Sequence, residues 1–322
     1  GLQLATGLGR ALPAGYIEDT TAQIAAEDVC ELAQVDGADE LRLRLQRREG
    51  DGTLRLKLYR NGEDLSLSDV LPMMENLGLR VIAERPYKLQ VGQEVNYIQD
   101  FEIETPAGPI DPEQVNAVFA EAFVRTWRGE AENDGFNRLV LSAGLDWRQV
   151  AMLRGYCKFL LQAGTPFSQS YIEATLLRYP LVASLLEQYF QARFNPELEG
   201  SKRSSKGLGG LPAALATLAG GNDATAHAIA AIAAASNRAQ RIEAVHAALL
   251  SQLESVASLD EDRILRAFMA VIDATLRTSY YRPYQGGLRA DGGPADYVSF
   301  KLDSAKVPDL PKPRPYREIF VY

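Results

Sequence analysis

The hydrophobic pattern of this chain shifts from mixed α/β, about Asp39 to Gly129, to all helix from Asn133 to Phe194, and that shift limits the fold more than any other feature. Leu41, Leu43 and Leu45 alternate with polar residues, Gly50-Asp51-Gly52 supplies turn positions that tolerate positive φ, and Leu54, Leu56 and Leu58 alternate with Arg55 and Lys57. A period of two on both sides of a glycine turn predicts a β-hairpin with one apolar and one water-facing side. From Asn133 to Phe194 the period lengthens to that of helices. Both patterns in succession give an α+β chain, with a small sheet first and a helical part after it.

Within the mixed part, Ser66-x-x-Asp69 resembles a capping box ahead of Leu67, Val70, Leu71, Met74 and Leu77, and Gly78 stands where a helix ends left-handed. One strand is expected from Leu79 to Glu84, and another after Gly92 through Tyr97, Phe101 and Ile103. Asp111 caps a helix with Pro112 in its first turn and Val115, Val118, Phe119, Ala122 and Phe123 as its stripe. Hairpin, helix, two strands and helix are the parts of a ferredoxin-like sheet with both helices on one face. Before it, Gly1 to Gly15 reads as a lead-in loop and Thr20 to Val35 as a helix.

In the helical part, Asp146 with Gln149 opens one helix, Ser168 or Ser170 a second, and Pro180 a third. Ser258-x-x-Glu261 opens a fourth that buries Ile264, Leu265, Phe268, Val271, Ile272 and Leu276, while Ala239 to Ala257 forms a firm helix before it. The Gly/Ala/Ser-rich stretch from Glu199 to Arg238 is expected to be a loosely packed insertion. A proline-rich connector, Pro308 to Pro315, leads into Arg317 to Tyr322, a run of strand formers with nothing after it to pair with. The sequence therefore reads as a segment of a longer protein. The expected divisions are 1–38 (linker and helix), 39–130 (ferredoxin-like), 131–282 (helical, with the insertion near 199–238) and 283–322 (connector and first strands of a further domain).

Few residues offer chemistry. The 322 residues carry 34 basic and 42 acidic side chains, a net charge of −8, which leaves no concentrated basic face for nucleic acid. Lys202, Arg203 and Lys206 form a local basic cluster that reads as a solvated linker. Cys30 and Cys157 lie far apart without C-x-x-C spacing, a usage suited to a reducing cytoplasm. No apolar run approaches the roughly 18 residues of a membrane span. His227 and His246 lack neighbours at metal-ligand spacing, and two histidines give little scope for a Ser-His-Asp or Cys-His centre. Gly7-x-Gly9 and Gly207-x-Gly209 fall short of G-x-G-x-x-G. Glu102 and Glu104 read as a solvated strand face, and Pro308-x-x-Pro311 with Lys312 and Arg314 as a stiff spacer rather than a docking ligand. No catalytic, cofactor-binding or metal residue is expected in this chain.

Four long stretches carry a resemblance. Leu67 to Leu89 (LSDVLPMMENLGLRVIAERPYKL), Phe136 to Phe194, Asp260 to Arg282 (DEDRILRAFMAVIDATLRTSYYR) and Val298 to Tyr322 resemble the large, multi-domain bacterial NAD-dependent glutamate dehydrogenases. The Gly/Ala-rich stretch departs from them. The resemblance implies that 39–129 is the last of several amino-acid-binding (ACT-type) regulatory modules, followed by helices and then the first strands of the catalytic core. It also implies NAD as the parent's cofactor, the rest of the polypeptide as partner, a homo-oligomer and an amino-acid effector. By position, Asn61 and Gly62, in the loop Arg60 to Asp64, match the glycine loop that holds the effector in such modules, though the usual Asp-x-x-Gly-Leu pattern is missing. A plain structural turn is the competing reading of that loop. A stand-alone amino-acid sensor or scaffold is the alternative for the whole chain.

Overall fold

The computed structural model describes residues 2–37, 40–48, 52–106, 108–198, 218, 223–282 and 297–322. They form two compact units, Gly1–Asn137 and Arg138–Tyr322. The cluster Lys202, Arg203 and Lys206, the motif Gly207-x-Gly209 and most of the Gly/Ala-rich stretch lie outside the described residues.

The first unit begins with three helices, α1 (Leu2–Arg10), α2 (Ala14–Asp19) and α3 (Ala22–Leu32), so the expected lead-in loop is helical instead. Gly7-x-Gly9 sits inside α1, where Gly7 lets the helix approach Val91: a Cβ there would lie 3.1 Å from its Cγ1. The hairpin β1 (Leu41–Arg47) and β2 (Leu54–Asn61), helix α4 (Leu67–Asn76), the hairpin β3 (Arg80–Val91) and β4 (Glu94–Glu104), and helix α5 (Pro112–Trp127) follow in the expected sequence. The sheet is antiparallel with order β1-β2-β4-β3. This is the ferredoxin-like arrangement with one change: the edge place of its last strand is taken by β1, from the start of the module. Leu43, Leu45, Leu56, Leu58, Phe101 and Ile103 are all buried, as are Val70 and Met74 of α4 and Phe119 and Phe123 of α5.

Three local expectations need correction. Strand β3 does not stop near Glu84 but runs through Pro86 to Val91, because β3 is an edge strand and a missing amide there need not break the ladder. Ser66 gives α4 no side-chain cap; its hydroxyl pairs with that of Ser68 at 2.6 Å. The hairpin face carrying Arg55 and Lys57 is buried, not wet.

In the second unit, a short helix α6 (Leu139–Ser142) precedes α7 (Trp147–Gln162), α8 (Gln169–Arg178) and α9 (Pro180–Phe194). Helix α10 (Asp223–Ala234) buries Ile229 and Ile232, so this part of the alanine-rich stretch packs. Helices α11 (Arg238–Leu253) and α12 (Leu259–Ala274) follow, and α12 passes directly into β5 (Thr275–Thr278). Leu276 therefore sits in a strand and is exposed, contrary to its expected place in the helix stripe. Strands β6 (Ser299–Leu302) and β7 (Glu318–Val321) complete an antiparallel sheet of order β5-β6-β7. The terminal strand is thus paired on one side, with β6. The proline connector before it folds back rather than extending: Arg314 donates to the carbonyls of Leu310 and Ala305, and Arg317 pairs with Asp303 at 2.9 Å.

Candidate functional site

The densest polar constellation of the first unit is built by α3 on the sheet face opposite α4 and α5. The alternation that sends Leu56 and Leu58 to one face sends Arg55, Lys57 and Tyr59 to the other. Helix α3 presents Glu27, Asp28 and Glu31 to that face: Arg44 meets Glu27 at 2.7 Å and Arg42 meets Glu31 at 2.8 Å. Between them Asp28, 0% exposed, accepts from the Lys57 ammonium and the Tyr16 hydroxyl on one oxygen, and from the Tyr59 hydroxyl at 2.8 Å on the other. Lys57 is 2% exposed and lies 5.6 Å from the centre of the Tyr16 ring. Burial first, and the Asp28 charge second, raise the ionisation of Tyr16 and Tyr59 above the usual phenol range. Directly across the ladder from Lys57, Asp100 has its carboxyl pushed up by burial, against the pull of Lys57 and Arg55.

This constellation is ringed by Leu8, Val29, Leu32, Val35, Tyr87, Leu89 and Ile98. Asp28, Lys57, Tyr16 and Tyr59 are committed to one another and buried, with the half-buried pairs Arg42–Glu31 and Arg44–Glu27 on either side, so the constellation fastens α3 to the sheet instead of meeting a substrate. Reading the hairpin alone missed it. The signal was present in the acidic run Glu27-Asp28 with Glu31, whose spacing matches the basic face of the hairpin.

The loop singled out from the sequence follows β2. The Gly62 amide donates to the Val95 carbonyl at 2.9 Å, and its φ of +87° explains glycine there. The Asn61 amide nitrogen donates to the Val35 carbonyl at 3.0 Å, while its Oδ1 is buried and accepts no hydrogen bond. The two positions therefore tie the β2 end to β4 and to the segment after α3.

The second unit holds a buried carboxylate, Glu187 of α9. Asp146 caps α7 by accepting from the amides of Arg148 and Gln149, and the Gln149 side chain accepts from the Asp146 amide in return, the reciprocal box expected. The other end of that glutamine donates to Glu187 at 2.8 Å, Gln188 donates to the second oxygen at 2.6 Å, and Arg241 of α11 donates to Gln188 at 3.1 Å. Glu187 is 1% exposed, and burial pushes its carboxyl up to about 7, aided by the charge of Asp146. Cys157 is buried and Cys30 exposed. His246 packs its ring 5.7 Å from that of Tyr189. Among the described residues no group of three or more His, Cys, Asp and Glu could hold a metal ion, and no helix is long and apolar enough to cross a membrane.

Comparison with known proteins follows the same order along the chain. Residues 1–35 match the family model "Glutamate dehydrogenase, helical motif 2", 40–115 "Glutamate dehydrogenase, ACT3 domain", 131–196 "Glutamate dehydrogenase, helical motif 3" and 248–322 "Bacterial NAD-glutamate dehydrogenase, catalytic domain". The chain is 39% identical to the NAD-specific glutamate dehydrogenase of Halomonas elongata and 36% identical to that of Pseudomonas aeruginosa, over 97% of its own length in each case. It is 34% identical to that of Mycobacterium tuberculosis over 95% of its length. It spans 17% of the length of each of these relatives.

Proposed function

We propose, from the premise that this chain belongs to the bacterial NAD-glutamate dehydrogenase family, that it is the regulatory and linking segment of such an enzyme. The parent would oxidise L-glutamate with NAD and water to 2-oxoglutarate, ammonia and NADH. It would work in the cytoplasm as a homo-oligomer. The segment by itself is inactive. Its domains follow the division 1–38, 39–130, 131–282 and 283–322, with the catalytic core beginning near the C-terminal strands. The observation that carries this reading is the succession of helical, ACT-type, helical and catalytic matches along one chain. The closed polar constellations support it, since Asp28 and Lys57 are satisfied by protein groups. A linking segment acts on its enzyme only through a differential preference for one conformation of the whole.

The test is an assay of NADH formation from glutamate and NAD. The purified 322-residue chain is expected to give none, and a longer reading frame that continues this chain is expected to be active. Turnover by the 322-residue chain alone overturns the proposal.

A second reading concerns the effector. The buried Asn61 Oδ1 without a donor favours an amino-acid ammonium as its partner in some state of the module. Calorimetric titration with the common L-amino acids, repeated on Asn61→Ser, tests this. Heat that is lost in the variant supports Asn61 as a ligand residue, and no heat for any amino acid removes both Asn61 and Gly62.

A further inference from the structure

The sheet of the second unit is built asymmetrically, with one face buried and the other exposed, carrying cations beside the apolar Ile319 and Val321. On the inner face Phe300 stacks on Tyr156 with ring centres 4.3 Å apart, and Leu302 is fully buried. In a regular strand Arg277 would share the side of Thr275, which pairs with Leu302 and is buried. A register shift between Thr275 and Arg277 instead sets Arg277 against Lys301. Bulges of this kind re-aim a side chain and are enriched beside functional sites. The result is two cations directly opposite each other on neighbouring strands, an arrangement that repels.

These two cations open on a cleft of about 450 Å³ that Arg193, Arg238 and Arg282 also line. Arg193 is engaged with Asp273 at 3.0 Å, and Arg238 donates to the carbonyls of Arg193 and Asn195. Among the described residues Arg277, Arg282 and Lys301 have no carboxylate partner, and all three are exposed. Ser299 and Thr278 add hydroxyls to the same lining. In a chain of net charge −8, five cations around one small cleft are a local reversal of sign.

We propose that this cleft binds a small anion carrying two or more phosphate groups. Guanidinium forks match phosphate oxygens in pairs, and a multiply charged anion removes the repulsion between Arg277 and Lys301. The site goes beyond the proposed enzymatic role and does not depend on it, because its test reads binding alone.

Isothermal titration of the 322-residue chain with pyrophosphate, UDP and uridine at constant ionic strength provides the test. Saturable binding of pyrophosphate is expected, at least tenfold weaker in Arg277→Gln/Lys301→Gln and unchanged in the charge-matched control Arg80→Gln/Lys88→Gln. UDP is expected to bind and uridine not; UDP tighter than pyrophosphate makes a nucleotide the source of the phosphates, and equal affinity makes phosphate alone sufficient. Without ligand, the Arg277→Gln/Lys301→Gln chain is expected to melt no lower than the wild type, while pyrophosphate raises the melting temperature of the wild type only. Affinity kept in that variant, or an equal effect of chloride at matched ionic strength, overturns the proposal.

Discussion

Lys57 lies where little water reaches it, and its ammonium is paired with the Asp28 carboxylate. Removing one member of a buried pair leaves the other charge unpaired, which costs about 3–5 kcal/mol, whereas replacing both with apolar groups costs far less. Lys57→Met is therefore expected to destabilise the first unit by about that amount in urea unfolding. Asp28→Leu/Lys57→Met should recover only part of the loss, because the Tyr16 and Tyr59 hydroxyls lose their acceptor, and additive losses would count against a coupled pair. Glu187 acts with the opposite sign to a surface carboxylate. Its folded pKa, about 7, lies above its unfolded value of 4.5, so the folded state holds the proton more tightly. The stabilisation is complete below the unfolded value and is lost as pH rises through about 7. A shift of this size corresponds to about 3 kcal/mol. Glu187→Gln should flatten the fall in stability of the second unit between acid and neutral pH, leaving it more stable than the wild type at pH about 8. An unchanged pH profile would show that another group sets it.

The elements owe their positions to a few close approaches. Helix α7 meets the sheet at Gly155, where a Cβ would lie 3.1 Å from the Phe300 ring and 3.2 Å from that of Tyr322. Phe300 is fully buried and stacked on Tyr156, so it has little room to yield. Overpacking costs about 1–3 kcal/mol, more than the roughly 1 kcal/mol of helix propensity gained by replacing glycine. Gly155→Val is expected to lower the melting temperature of the second unit, and an unchanged melt would refute the close approach. Much of this level was legible beforehand. The Asp146–Gln149 box, the caps at Asp111, Ser168 and Ser258, and the turn at Gly78 are local rules with local partners. What escaped depended on distant neighbours. The reach of β3 past Pro86 follows from its edge position, the burial of Lys57 from α3, and the exposure of Leu276 from the register shift in β5.

At the scale of the molecule, the first unit closes its own cores on both sheet faces within Gly1–Asn137. That segment, expressed alone, is expected to unfold in one cooperative transition with mixed helix and strand circular dichroism; a broad, non-cooperative melt would contradict it. The sites were less legible than the fold. The loop at Asn61 and Gly62 could be named from position, but the cationic cleft needs residues from α9, α11, β5 and β6 that no linear spacing joins. The replacement of the last ferredoxin-like strand by β1 also bears on how the protein is made. Because the closing edge strand comes first in the chain, all four strands of the sheet have been synthesised once Glu104 is added. The nascent chain therefore need not wait for a later strand to fill the edge place beside β2.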